Sequence, residues 1–338
     1  MSSSPRSSPG ASPKIEIVEG SVALPSPWPM RHGGRLDNAR VAYRIEGAAG
    51  APLVAAVGGI SGHRVVCAGR GGAWWPALVG EGLAVDTGRY RVLGMDYLGG
   101  SGDSAAPHAG AEFPSVSAYD QADALAAVLQ AENLGALHAI VGASYGGQIA
   151  LAFAAHHPGR VGRLVVLCAA DRTRPLATAR RCVQRQLVRE ALARGDGPAG
   201  LKLARALAMT TYRSAAEFAE RFAGPPVRDG GRFVFPVERY LFARGDDYVR
   251  RYRAECFLAL SESIDLFEID PALVRVPATL IAVHEDQLVP IADVRSLAER
   301  LGGPCRLVQF SSLYGHDAFL KEGEALQPIV ERALTEAF

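Results

Sequence analysis

The chain has 338 residues, 49% of them hydrophobic, and its 36 basic and 35 acidic residues leave a formal net charge of +1. That balance argues against a clamp on nucleic-acid phosphates, the apolar content argues against disorder, and no apolar run approaches the ~20 residues a bilayer requires. A chain of this size buries roughly 75% of its unfolded surface, so it needs neither disulfides nor a structural metal to hold a core. Only three basic residues are lysines (Lys14, Lys202, Lys321); the rest are arginines. Five cysteines (Cys67, Cys168, Cys182, Cys256, Cys305) lie scattered without metal-ligand spacing, which predicts reduced thiols and a cytoplasmic protein. Residues 1–14 open on a Ser/Pro-rich stretch without a signal-peptide apolar core and predict a disordered tail.

Residues 15–20 and 40–47 alternate, predicting antiparallel edge strands with a turn over 32–38 between them. Apolar runs at 53–59, 90–95, 138–144 and 163–170 predict buried parallel strands. Between them, residues 116–134 carry helical spacing, with Tyr119, Ala122, Leu125, Ala126 and Leu129 on one side, and a second helix spans 145–157. From 172 to 272 the rhythm changes to Arg-rich, mainly helical sequence without a convincing buried parallel strand. It returns with a strand at 278–286, a helix at 290–302, a strand at 305–312 and a final helix from Ala318. Such alternation predicts an α/β fold: a mostly parallel sheet with helices on both faces, built from 15–171 and 273–338. The residues between, 172–272, then form an inserted helical cap that shapes a substrate pocket.

The sharpest motif is Gly142-Ala143-Ser144-Tyr145-Gly146, set between an apolar strand and an Ala-rich helix. Glycines two residues either side of a serine permit the strained strand-to-helix turn that lifts a nucleophilic hydroxyl clear of a sheet. A serine needs a base, and the base an orienting acid; in this fold class they follow in the order Ser, Asp/Glu, His. Asp286, with Glu285 as competitor, stands at the end of the 278–286 strand, and His316 lies in the loop after the last strand. Donors to an oxyanion are expected from the backbone N–H of Tyr145 and from the loop 57-VGGISGHR-64, at Gly59 or Ile60.

Together these segments resemble the homoserine O-acyltransferases of methionine biosynthesis, of the α/β-hydrolase-fold type. The likeness runs from Leu24 to the C-terminus and rests on residues 74–107, GASYGGQIAL around Ser144, VQRQ at 183–186, LAMTTYRSAAEF at 207–218, YLFARGDDYV at 240–249 and GHDAFLKE at 315–322. The resemblance implies that Ser144, Asp286 and His316 are the catalytic triad, that Arg185 binds the amino-acid substrate, and that Asp317 is its second binding residue. It implies L-homoserine and acyl-CoA as substrates, no permanently bound cofactor or metal, a ping-pong acyl-enzyme route and a homodimer. Many succinyl-using members carry an arginine two residues after the triad acid, where this chain has Leu288. The short branch it most resembles is associated with succinyl transfer, with Arg64, Arg172 or Arg174 as the cation for a succinyl carboxylate. Acetyl-CoA as donor and serine as acceptor are the alternatives within the family; beyond it stand an ester or thioester hydrolase and a catalytically silent receptor.

Overall fold

The computed structural model describes residues 14–108 and 112–337, so the predicted tail falls, apart from Lys14, outside the described residues. Eight strands form one sheet: β1 (Ile15–Ala23), β2 (Arg40–Ala48), β3 (Leu53–Val57), β4 (Arg91–Met95), β5 (Ala139–Ala143), β6 (Leu164–Leu167), β7 (Ala278–Val283) and β8 (Cys305–Phe310). Their spatial order is β1-β2-β4-β3-β5-β6-β7-β8. β2 pairs antiparallel with both β1 and β4, and every pairing from β4 to β8 is parallel. β2 is therefore an interior strand rather than the edge strand its alternation predicts; only β1 of that pair lies at an edge. β3, β5, β6 and β7 are buried at every position and, Thr279 of β7 apart, apolar, as strands covered on both faces are.

Helix α1 (Ala118–Ala131) starts where Ser117 and Asp120 form a reciprocal capping box, and α2 (Tyr145–His156) follows β5 without a linker. Between β6 and β7 come five helices: α3 (Pro175–Ala193), α4 (Gly197–Tyr212), α5 (Ala215–Arg221), α6 (Pro236–Val249) and α7 (Ala254–Asp265). This stretch also holds an exposed hairpin, Val227–Asp229 with Arg232–Val234, which the sequence reading passed over. Its signal was Asp229-Gly230-Gly231, where both glycines take positive φ, as a tight hairpin turn requires. After β7 come α8 (Ile291–Arg300), then, beyond β8, α9 (Ala318–Lys321) and α10 (Gly323–Thr335). The single helix expected from Ala318 is thus broken at Glu322, where Gly323 comes close against Ala77: a Cβ there would lie 2.9 Å from the Ala77 Cβ. Among the described residues no helix is long and apolar enough to cross a membrane.

Chain order and space part company at β3: β4 lies on one side of it and β5 on the other. Loops leaving the carboxyl ends of β3 and β5 therefore diverge and open a crevice, the place where open α/β sheets bind ligands.

Candidate active site

Ser144 occupies the turn from β5 into α2 with φ 55° and ψ −118°, a conformation a non-glycine residue holds only when its surroundings enforce it. Both flanking glycines are sterically obligatory. A Cβ on Gly142 would stand 2.3 Å from the Gly146 carbonyl oxygen, and one on Gly146 would stand 2.1 Å from that of Val57. The hydroxyl so presented meets His316 Nε2 at 2.8 Å. His316 Nδ1 in turn lies 2.6 Å from Asp286 Oδ2, and the other oxygen of Asp286 accepts the backbone N–H groups of Leu288 and Val289 at 2.8 and 2.9 Å. Serine, histidine and aspartate thus form a continuous hydrogen-bonded chain. Glu285 takes no part in it; its carboxylate accepts the Ser312 N–H and so fastens the loop that carries His316.

His316 is buried, which by itself pulls an imidazole pKa down, but the charge and hydrogen bond of Asp286, and the charge of Asp317, outweigh burial and hold it above 6.5. Cys168, at the end of β6, brings its sulfur within 4.8 Å of ligand atoms on Asp286 and His316. The three do not read as a tetrahedral metal site: ligand atoms about 2.1 Å from one ion would stand about 3.4 Å apart, whereas His316 Nδ1 and Asp286 Oδ2, at 2.6 Å, share a proton. Burial and Asp286 keep the Cys168 thiol well above its usual pKa, so it stands as a neutral S–H.

The chain opens into a cavity walled by the loop after β3, by α3, α4 and α7, and by the Asp286 and His316 loops. Gly59, Ile60 and Tyr145 all line it. The Gly58 N–H is engaged by the Tyr97 phenol oxygen at 2.9 Å, whereas the N–H groups of Gly59 and Ile60 have no hydrogen-bond partner among the described residues. Both sequence candidates for the second oxyanion donor therefore remain available.

The arginines sort differently from expectation. Arg185 does not line the cavity: it is buried against α7, donating to the Ser261 carbonyl at 2.9 Å and to Asp265 Oδ2 at 2.7 Å. Arg181 faces the cavity but is held by the same Asp265 at 2.6 Å. The three arginines expected to serve a succinyl carboxylate are also engaged. Arg64 is bound by Glu19, Asp96 and Asp103, Arg172 by Asp171 and Glu268, and Arg174 by Asp293. Two other guanidinium groups face the cavity without a hydrogen-bonded carboxylate among the described residues, although the charge of Asp317 acts on Arg205. Arg205 of α4 lies over the rings of Tyr212 and Tyr248, at 5.1 and 4.8 Å from their centroids. Arg180 of α3 hydrogen-bonds, among the described residues, only to the Gln287 carbonyl, at 3.4 Å, next to Leu288.

Asp317 lines the same cavity, and one carboxylate oxygen accepts from Arg213 Nε at 2.9 Å while the other accepts no hydrogen bond from the described residues. It stands at the start of α9 without capping it. Arg213 also holds Glu217 at 2.9 Å, and its carbonyl accepts the Gln287 side chain at 2.9 Å. The insertion is thereby joined to both loops that bring His316 and Asp286 to the serine.

Sequence reasoning missed Arg205 although a signal was present. On α4 the buried positions Leu201, Ala204, Ala208 and Met209 define one helical face, and Arg205 falls inside it. A lone guanidinium on an apolar stripe must find partners, and here they are two tyrosine rings and the charge of Asp317 rather than a hydrogen-bonded carboxylate.

Residues 59–323 match the family model of the alpha/beta hydrolase fold. The chain is 43% identical to a homoserine O-succinyltransferase of Xanthomonas campestris pv. campestris over 90% of its own length and 81% of that protein's. It is 33% identical to a homoserine O-acetyltransferase of Clavibacter michiganensis subsp. michiganensis, over 90% of each. Among solved structures, a homoserine O-acetyltransferase from Bacillus anthracis superimposes with a TM-score of 0.83 at 17% identity, covering 95% of this chain and 98% of that one.

Proposed function

The chain belongs to the homoserine O-acyltransferase family of the α/β-hydrolase fold, and from that footing we propose that it moves a succinyl group from succinyl-CoA to the hydroxyl of L-homoserine through an acyl-enzyme on Ser144. The observation carrying the choice of substrates is the pair of cavity guanidinium groups without a hydrogen-bonded carboxylate, Arg205 and Arg180. Two cations with their hydrogen-bond donors free of carboxylates suit two anionic groups: the amino-acid carboxylate at Arg205 and the distal carboxylate of a succinyl chain at Arg180. The Asp317 oxygen that accepts no hydrogen bond from the described residues suits the ammonium of the amino acid.

In the first half-reaction Ser144 Oγ attacks the thioester carbonyl as His316 Nε2 takes its proton. Asp286 stabilises the imidazolium and keeps its ring oriented. Backbone N–H groups of Tyr145 and of Gly59 or Ile60 receive the oxyanion; the C–S bond then breaks and the CoA sulfur leaves with the proton from His316. In the second, the homoserine hydroxyl gives its proton to His316 as its oxygen attacks the acyl carbonyl. Ser144 then departs as the leaving group and is reprotonated by His316. Residues 172–272 act as a cap that limits the entry of water, on which transfer rather than hydrolysis depends. No permanently bound cofactor enters this scheme.

The reading includes a cytoplasmic location, supported by five unpaired cysteines, and a homodimer, supported by Leu176, Val183, Phe233 and Phe235 standing exposed on the insertion. Light scattering at micromolar concentration returns twice the chain mass if the dimer is right.

The deciding experiment follows CoA release by the purified protein with acetyl- or succinyl-CoA and L-homoserine or L-serine. Succinyl-CoA with homoserine is the expected fastest pair, and Ser144→Ala abolishes it. Release of free succinate at the same rate with and without an amino acid would establish a hydrolase instead.

A further inference from the structure

The loop that offers the second oxyanion donor is held at three successive carbonyls. The Gly58 oxygen accepts the Tyr97 hydroxyl at 2.9 Å, the Gly59 oxygen accepts the Gly62 N–H at 2.7 Å, and the Ile60 oxygen accepts the Tyr252 hydroxyl at 2.8 Å. Because each peptide is planar and trans, fixing a carbonyl aims the following N–H the opposite way. The first two bonds, which orient the Gly59 and Ile60 N–H groups, come from the hydrolase core and from the loop itself. The third comes from the insertion, since Tyr252 sits in the junction between α6 and α7. A fourth bond nearby also reaches the insertion, from Ser61 Oγ to the Tyr248 hydroxyl at 3.2 Å.

Gly59 to Gly62 is a β-turn closed by the Gly62 N–H, with Ile60 and Ser61 as its central residues. The peptide between those two is the one that rotates when a turn changes type, and it is the one whose carbonyl Tyr252 holds. Tyr252 is itself well fixed. It is buried, its ring stacks on Tyr248 at 4.9 Å, and the next residue, Arg253, is anchored through its N–H to Ser101 Oγ at 2.9 Å. Burial keeps both phenols protonated, so Tyr252 remains a donor at any working pH.

We propose that Tyr252, supported by Tyr248, is a positioning residue that anchors the Ile60–Ser61 peptide and with it the Gly59–Gly62 turn carrying the Gly59 and Ile60 N–H groups, so that the oxyanion hole is complete only when the insertion is docked on the core. The proposal rests on Ser144 being the nucleophile. It explains why a helical insertion that supplies no triad residue reaches past the cavity to the backbone of the β3 loop.

The test measures three quantities on Tyr252→Phe: the single-turnover rate of Ser144 acylation by succinyl-CoA, the Kd of L-homoserine, and the affinity of a boronic acid that forms a tetrahedral adduct on Ser144. Acylation falls about tenfold, the change that one hydrogen bond of about 1.4 kcal/mol confers. Boronate affinity falls by the same factor, while the homoserine Kd stays within twofold and the acid midpoint of the pH–rate profile does not move. An acylation rate within twofold of the parent overturns the proposal, and so does a slower rate with unchanged boronate affinity. Should Tyr252→Phe fail to fold, Ser61→Ala decides through the same readouts: a parallel loss of about threefold supports the clamp, and no loss overturns it. Failure of the parent protein to acylate Ser144 would instead refute the catalytic reading beneath it.

Discussion

Removing the Arg180 guanidinium separates the two acyl donors. Arg180→Ala takes away a cation that faces the cavity and has only a 3.4 Å contact with the Gln287 carbonyl to lose within the protein. A hydrogen bond to a charged group contributes about 1.5–3 kcal/mol. Arg180 is half-buried and remains partly hydrated, so the lower part of that range applies, about 2 kcal/mol, or roughly a 30-fold change. The assay is initial-rate CoA release, comparing kcat/KM for succinyl-CoA and acetyl-CoA; in a ping-pong scheme this ratio reports only the first half-reaction. Succinyl-CoA loses about 30-fold and acetyl-CoA less than twofold, and Arg180→Lys falls between because an ammonium keeps the charge without the fork. Equal losses with both donors would refute the assignment and place the guanidinium on the CoA moiety they share. An unchanged ratio with succinyl-CoA would refute any donor role for it.

Three further outcomes are expected. Arg205→Ala raises the homoserine KM by about 50-fold with acyl-enzyme formation nearly intact, whereas Arg185→Ala leaves that KM within twofold and lowers stability in urea by about 2 kcal/mol, because Ser261 and Asp265 lose a buried donor. The base must be neutral to work, and His316 is held above 6.5, so the acid limb of the pH–rate profile lies above pH 6.5. Asp317→Asn removes one of the charges that raise it and moves the limb to lower pH, read from kcat/KM for the donor across pH 5–9. Gly146→Ala forces a Cβ to within 2.1 Å of the Val57 carbonyl oxygen and costs about 3 kcal/mol in urea unfolding together with turnover.

The parts of the site legible in the sequence are those whose meaning is local. Gly142-Ala143-Ser144-Tyr145-Gly146, set between an apolar strand and an Ala-rich helix, declares a strand-to-helix turn, and Asp286 and His316 follow from strand ends in the required order. Arg185 and Arg205 show the limit. Both lie on buried faces of their helices, so sequence marks both as arginines in need of partners. Asp265, eighty residues beyond Arg185, satisfies one, whereas the other meets only tyrosine rings and the charge of Asp317 among the described residues. Which is which depends on how α3, α4 and α7 pack, and no spacing rule encodes that. The edge assignment of β2 failed for a similar reason: alternation reports which faces are covered, not how many neighbours a strand has.

The tyrosine contacts from the insertion to the β3 loop bear on how such enzymes diversify. Cavity-facing arginines sit on α3 and α4, so those helices form a module whose exchange between relatives would bring new acceptors or donors to an unchanged Ser144. The α6–α7 junction belongs to the other partner in that exchange. A chimera whose crossover leaves Tyr248 and Tyr252 with their native β3 loop inherits its rate, and one that separates them must evolve the match again.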